Sequence, residues 1–245
     1  MLSLIIPMYN ESKIITDTAQ RLSQYMQEHV DEYEIIFSDD GSTDGSADTV
    51  EALSLPHTRV LRHEKNAGKG AAVRSAMLEA KGDVRMFTDA DLAYGTDVIR
   101  QMLDYLSSTP TVSVALGSRS LHDDGYAQYT AIRKIASKTY IKLLCLIGGF
   151  RVSDSQCGCK AFRAEAAERI FGRCTVDGFA FDFEVLLWAK RLGIVTGEVP
   201  VSVIYHRDSK VHVMRDALRM MADLLRIRKR VNRAVKEMQT KGETL

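Results

Sequence analysis

An α/β fold with a mainly parallel central sheet and helices on both faces is what this 245-residue sequence predicts. Short apolar runs alternate with amphipathic stretches through the first half, the pattern that strand-helix-strand crossovers require. The apolar runs end in polar clusters: Tyr9-Asn10-Glu11, Asp39-Asp40, Asp89-Ala90-Asp91 and Ser118-Arg119. Open α/β sheets bind ligands beyond the carboxyl ends of their strands, so these clusters mark one candidate binding edge.

The elements follow in order. Leu2 to Pro7 reads as a buried strand, and Ser12 to His29 as a helix with Ile14, Ile15, Ala19, Leu22 and Met26 on one side. Glu34 to Ser38 is a second strand, and Asp44 or Ser46 is placed to cap the helix after it. Arg59 to Arg62 and Asp83 to Thr88 read as strands, Gly68 to Ala80 and Thr96 to Ser107 as helices, and Thr111 to Gly117 as a further strand. The second half is less regular. Thr130 to Ile147 and Phe181 to Leu192 read as helices, Ser153 to Arg163 as a polar, cysteine-containing turn region, and Ile194 to Ile204 as a strand interrupted at Pro200. Val211 to Met238 is a long amphipathic helix. With no internal repeat and no linker, the expected organisation is one domain over residues 1–210 and a basic amphipathic helix and tail over 211–245.

Composition narrows the function. Apolar residues make up 45% and charged residues 27%, ordinary values for a globular chain that exclude a collagenous, low-complexity or mostly disordered one. Lys+Arg number 33 against 32 Asp+Glu, a balance that argues against a nucleic-acid partner. From His206 to Lys241, however, eleven Lys/Arg stand against four Asp/Glu, a surface suited to phosphates or anionic lipid. The first residues lack the basic start and cleavage site of a signal peptide, and no apolar run is long enough to span a bilayer. Cys157 and Cys159 are separated by one residue rather than the two to four of a zinc pair, so the four cysteines read as incidental thiols. His29, His57 and His63 have no motif partners and read as surface residues.

Chemistry concentrates at three of the strand ends. Asp89 and Asp91, with only Ala90 between them, can both turn into a crevice and supply hard oxygen ligands to Mg²⁺ or Mn²⁺ beside a phosphate. A turn that caps the next helix is the plainer alternative. Asp39 and Asp40 head a glycine-containing turn and can accept hydrogen bonds from a base or from ribose hydroxyls. Asn66-Ala67-Gly68-Lys69-Gly70 opens a helix, where glycine permits close backbone approach and Lys69 suits a phosphate. It is not a P-loop, which would need Gly and Ser/Thr where His63 and Gly70 stand, and no G-x-G-x-x-G follows the first strand.

Taken together, these motifs resemble family 2 glycosyltransferases of the GT-A fold, closest to the polyprenyl-phosphate branch of dolichyl-phosphate glucose and mannose synthases. The resemblance rests on Ile6-Pro7-Met8-Tyr9-Asn10-Glu11, Ser38 to Gly45, Asn66 to Gly70, Asp89-Ala90-Asp91, Gly117-Ser118-Arg119 with Arg133 and Ser137, and Asp154 to Phe162. Glu198 to Val201 and Ser209-Lys210 extend it to the last core strand and a basic closing segment. It implies that Pro7, Tyr9 and Glu11 line a nucleotide pocket, with Asp39 and Asp40 near base and ribose. It further implies that Asp89 and Asp91 bind Mg²⁺ or Mn²⁺, with Lys69 near the diphosphate, that Arg119 and Arg133 receive a lipid phosphate, and that Arg207 and Lys210 contact the donor diphosphate. Ala93, where the mannose synthases place Gln, favours the glucosyl side, and Cys159 replaces a usual Phe.

The implied reaction is an inverting transfer of a hexose, first choice glucose from UDP-glucose, to an undecaprenyl or dolichyl phosphate. The enzyme would be cytoplasmic and peripherally attached to the membrane, through the Thr130–Ile147 stretch and the last helix. GDP-mannose and UDP-N-acetylhexosamine stay open as donors. A hydroxyl acceptor is the alternative, with Asp182 as its base. A non-catalytic nucleotide-sugar binder and a sugar nucleotidyltransferase are more distant readings. The sequence carries no signal of oligomeric state.

Overall fold

The computed structural model describes residues 1–122, 131–204 and 213–242, without the side chains of 131–138 and 213–221. Arg207 and Lys210 lie outside the described residues, as does the side chain of Arg133. In chain order the elements are β1 (Leu2–Met8), α1 (Ile15–His29), β2 (Tyr33–Asp39), α2 (Ser46–Ala52), β3 (Thr58–Arg62), α3 (Lys69–Glu79), β4 (Val84–Phe87) and α4 (Asp97–Ser108). They continue with β5 (Val114–Ser118), α5 (Ala131–Gly148), β6 (Lys160–Arg163), α6 (Ala164–Phe171), α7 (Phe181–Arg191), β7 (Thr196–Pro200) and α8 (Val213–Thr240).

The strands form one seven-stranded sheet in the order β3-β2-β1-β4-β6-β5-β7. The ladders β1/β2, β1/β4, β2/β3 and β5/β7 are parallel. Alternate residues of β1 serve opposite faces, as the strand period demands. Leu4 and Ile6 join α1, α2 and α4 in one core, with Leu22, Met26, Val50, Ile99 and Met102. Ile5 joins the other core, built from α3, α5, α6, α7 and α8, with Val73, Leu144, Phe171, Trp188 and Leu224. Pro7 sits past Ile5, where the β4 ladder ends, so the proline interrupts no pairing with β4.

One expectation changes here. The polar turn region of Ser153 to Arg163 ends in a strand, β6, which runs antiparallel between β4 and β5 and pairs Lys160 with both Phe87 and Leu116. Its tetrad Lys160-Ala161-Phe162-Arg163 reads as polar because two of its four residues are charged. Lys160 is nevertheless fully buried. Helix α6, directly after it, was hidden by the same reading. The strand's direction matters to the site: an antiparallel strand begins where its parallel neighbours end, so the loop before β6 lies at the binding edge.

Helix α8 also contributes to the core: Leu224, Ile227 and Val231 are buried with α5 and α7, while Leu225 is 51% exposed. Among the described residues no helix is long and apolar enough to cross a membrane.

Candidate active site

The turns after β1 and β2 are built into each other. Asn10, in the left-handed region at φ 55°, accepts from the Thr43 N–H through Oδ1 (2.9 Å), and its own N–H donates to Ser42 Oγ (2.9 Å). Asp44 accepts from the N–H groups of Ser12 (2.9 Å) and Ser46 (3.0 Å). It joins the two turns and stands beside the start of α2, which has no side-chain cap of its own. Tyr9 remains 45% exposed at this edge.

Asp39 and Asp40 are both 3% exposed. Asp39 accepts from the Ser42 N–H (3.2 Å). Asp40 accepts from the backbone N–H groups of Ala67 (2.9 Å) and Gly68 (2.7 Å), and its Oδ1 lies 3.2 Å from His63 Nδ1. His63 also meets Ser75 Oγ at 3.0 Å, so it is a half-buried brace rather than the surface residue its sequence suggested. His29 and His57 are exposed as expected.

The glycines of the Gly68-Lys69-Gly70 element admit protein rather than ligand. The N–H groups of Gly70 and Ala71 donate to the Asp177 carbonyl (2.7 and 3.2 Å). The helix N-terminus is therefore largely satisfied within the chain, and Lys69 is left to act through its side chain. That ammonium is ion-paired with Asp89 Oδ1. Burial works against the lysine's charge, but Asp89, Asp182 and Asp91 outweigh it and hold the pKa above its ordinary value.

The Asp89-Ala90-Asp91 turn is pinned from several sides. Thr18 Oγ1 donates to the Ala90 carbonyl (2.7 Å), the Leu92 N–H to the Asp89 carbonyl (3.1 Å), and the Ala93 N–H to Asp91 Oδ1 (3.1 Å). Burial and then the Asp89 charge push the Asp91 carboxyl up, and Glu11 adds in the same direction. A cavity of about 400 Å³ opens beside Asp91, bordered by Ile14, Thr18, Leu92 and Ile204. Gly158, in the loop before β6, lies against Asp89 so closely that a Cβ there would collide with the carboxylate.

Beyond Lys69 the charges alternate. Asp182, at the start of α7, accepts from Lys160 Nζ at 2.6 Å, and Lys160 also donates to the Cys157 carbonyl (2.7 Å). Burial pushes the Asp182 carboxyl up, against the pull of Lys160 and Lys69. Arg119 faces Asp154 through a two-pronged pair, Nε to Oδ2 at 2.6 Å and Nη2 to Oδ1 at 3.0 Å, a geometry that fixes the guanidinium plane. The Asp154 side chain is 1% exposed. Its burial would raise its pKa, but the Arg119 hydrogen bonds and charge win and hold it below the usual carboxylate range. Tyr94, whose hydroxyl accepts from the Gly158 N–H (3.0 Å), feels the charges of both Asp89 and Arg119.

The structure thus gathers Lys69, Asp89, Asp91 and Asp182, with Glu11 alongside. Sequence reasoning assigned no role to Lys160, Asp154, Gly158 or Tyr94. Asp154, Gly158 and Lys160 all fall in the Asp154–Phe162 segment that carries the family resemblance, which gave the sequence signal for them without a role. All four cysteines are free, and Cys157, Cys159 and Cys174 are buried.

Residues 3–171 match the model of glycosyl transferase family 2. The chain belongs to this family.

Relatives within it include a dolichyl-phosphate beta-glucosyltransferase of Trichomonas vaginalis, 33% identical over 92% of this chain and 70% of that one. The corresponding enzyme of Saccharomyces cerevisiae is 30% identical over 93% of this chain and 74% of its own. Among solved structures, glucosyl-3-phosphoglycerate synthase from Mycobacterium tuberculosis superposes with a TM-score of 0.69 at 19% identity, covering 92% of this chain and 80% of that one. Mannosyl-3-phosphoglycerate synthase from Rubrobacter xylanophilus gives 0.62 at 17%, covering 99% and 75%. The fold is GT-A, and the chain is a glycosyltransferase.

Proposed function

We propose that this enzyme transfers glucose, with inversion, from UDP-glucose to a polyprenyl phosphate. The relatives named dolichyl-phosphate beta-glucosyltransferases support the sugar and the acceptor class. The structural observation that carries the acceptor is the Lys160–Asp182 pair. The carboxylate best placed by sequence to act as a base is committed to a fully buried lysine. A phosphate acceptor is already an anion at neutral pH and needs no base; a hydroxyl acceptor does.

Asp89 and Asp91 suit a divalent cation. Among the described residues no three potential ligand side chains converge, so diphosphate oxygens and water would complete the shell, as Mg²⁺ prefers. Solved neighbours crystallised with UDP and Mn²⁺ or Mg²⁺ share the fold. A bound Mg²⁺ or Mn²⁺ would neutralise charge on the departing diphosphate. Lys69 supplies a fixed positive charge at the same edge. Pro7, Tyr9, Glu11 and Asp39 border the nucleoside side, and Asp40 shapes it by holding the Ala67–Gly68 backbone. Arg119 and Arg133 serve the acceptor phosphate, and Arg207 and Lys210 the donor diphosphate. Domain 1–210 carries the chemistry, and 211–245 the helix that attaches it to the membrane.

The test is a transfer assay with UDP-glucose and polyprenyl phosphate, run on wild type and Asp182→Asn. With a phosphate acceptor, the rate per folded molecule should fall by less than about tenfold. Loss of a true general base costs about 10²–10⁴-fold, and such a loss with donor affinity unchanged would overturn the reading.

Gly158→Ala provides an independent check on Asp89. The obstacle is the end of a side chain rather than backbone, so the variant should fold. Displacing Asp89 should weaken Mn²⁺-dependent UDP binding by about 10–100-fold, measured by titration calorimetry. Unchanged affinity would remove Asp89 from the donor site.

Membrane attachment is expected from the outer stripe of α8. Leu225, Arg228, Lys229, Asn232, Arg233 and Lys236 line a groove of about 470 Å³. Among the described residues, those four cations carry no ion pair. The protein should float with anionic liposomes at low salt and sediment free of them at high salt. Flotation that persists at high salt, or never occurs, argues against an electrostatic mode.

A further inference from the structure

Hydrogen bonds linked through two short stretches of backbone join α8 to the strand-end carboxylates, and a buried glutamate stands in the middle of this path. Glu184, in the first turn of α7, is 1% exposed. Its Oε2 accepts from the N–H groups of Thr175 (2.8 Å) and Val176 (2.7 Å). Its Oε1 accepts from Thr175 Oγ1 (3.3 Å) and from Arg230 Nη2 of α8 (2.8 Å). Every partner is a donor, and an ionised carboxylate is the side-chain end that accepts on both oxygens at once.

The loop gripped in this way continues to Asp177. Its carbonyl accepts from Gly70 and Ala71 at the start of α3, and its carboxylate from Arg74 Nη2 at 2.7 Å. A methyl group at Gly68 would lie 2.5 Å from that carbonyl oxygen, so loop and helix start are in close contact. Lys69 stands between these two glycines, with its ammonium on Asp89.

We propose that Glu184, clamped by Arg230, is a positioning residue for the donor-diphosphate site: it fixes loop 175–178, the loop fixes the first turn of α3, and that turn aims Lys69 at Asp89. The proposal rests on the reading of Lys69, Asp89 and Asp91 as that site. It makes α8 part of the catalytic framework, because its side chain closes the only ion pair Glu184 makes among the described residues.

Glu184→Gln places an NH₂ group against donors, so one side of the clamp must open. Arg230→Met removes the cation from a partly exposed position and should fold, and Arg230→Lys keeps the charge. Two readouts are taken on the full chain. Amide hydrogen exchange at Gly70 and Ala71, measured without ligand, should speed up by about tenfold in Glu184→Gln and Arg230→Met, since opening then needs one contact fewer. Affinity for UDP with Mn²⁺ should fall by about 10–100-fold in both, as loss of a supporting shell does, and Arg230→Lys should restore most of it.

Unchanged exchange at Gly70 and Ala71 would overturn the relay. Faster exchange with wild-type UDP affinity would show the clamp to be structural only, which overturns the positioning role. If wild type itself fails to bind UDP with Mn²⁺, the donor-site reading falls and the positioning role with it. Wild-type binding with equal binding in both variants sinks the positioning role alone.

Discussion

Asp91→Asn is expected to lower glucosyl transfer by about a thousandfold, since losing several kcal/mol of charge stabilisation costs a factor of ten per 1.36 kcal/mol. The amide keeps the shape of the turn, including an oxygen for the Ala93 N–H. The fold should therefore survive. What disappears is one of two adjacent negative charges; burial first, and then the Asp89 charge, already holds the Asp91 carboxyl above the usual range. Removing that charge should leave stability without ligand equal or slightly improved. A thermal-shift titration with UDP and Mn²⁺ separates these effects: wild type gains stability with ligand concentration, and the variant gains little. A variant that transfers glucose at near wild-type rate would take Asp91 out of the reaction.

The second large effect falls on stability. Asp154→Asn removes the buried carboxylate that Arg119 grips with two hydrogen bonds, and breaking one side of a buried pair costs about 3–5 kcal/mol. For a chain of this size that is a fall in Tm on the order of 10 °C. Replacing both partners, Arg119→Met with Asp154→Leu, should recover much of the loss, because both charges of the pair are then removed together. Recovery of stability without recovery of transfer would confirm that Arg119 has a second task at the acceptor. The pH dependence has a definite sign. Asp154 has a folded pKa below its unfolded value of about 3.9. Its contribution is present in full above that value and is lost as pH falls through the folded pKa. The stability difference between wild type and Asp154→Asn should be constant above about pH 4 and shrink as the pH falls below it. Parallel curves across the acid range would refute the assignment.

The binding edge was legible in the sequence because its parallel strands end in short polar clusters. Asp39-Asp40 and Asp89-Ala90-Asp91 stand where β2 and β4 stop, and the register of β1 with both strands brings them to one side. Other features were hidden because a buried charge looks like an exposed one. Lys160, within a predicted polar turn region, and Glu184, within a predicted helix, were assigned no role, yet each is buried and matched by a partner far along the chain, 22 residues away for Asp182 and 46 for Arg230. The Gly68-Lys69-Gly70 element invited a phosphate, and its glycines in fact let the Asp177 loop approach. On α8, Leu224 turned out to be core while its neighbour Leu225 is exposed, a distinction that the sequence pattern does not make.

From its order of residues alone this chain specifies alternating strands and helices and a single edge where acidic turns collect. Local periodicity and turn chemistry suffice for that, since each signal lies within a few neighbouring residues; the GT-A glycosyltransferases entered through the resemblance of the ordered motifs to a known family. The reversal of β6, the pairing of Arg119 with Asp154 and Lys160 with Asp182, and the link from α8 through Glu184 to Lys69 were decided only in three dimensions. Each joins groups distant in sequence, and burial sets its strength: a charge removed from water must find its counterpart wherever packing puts it.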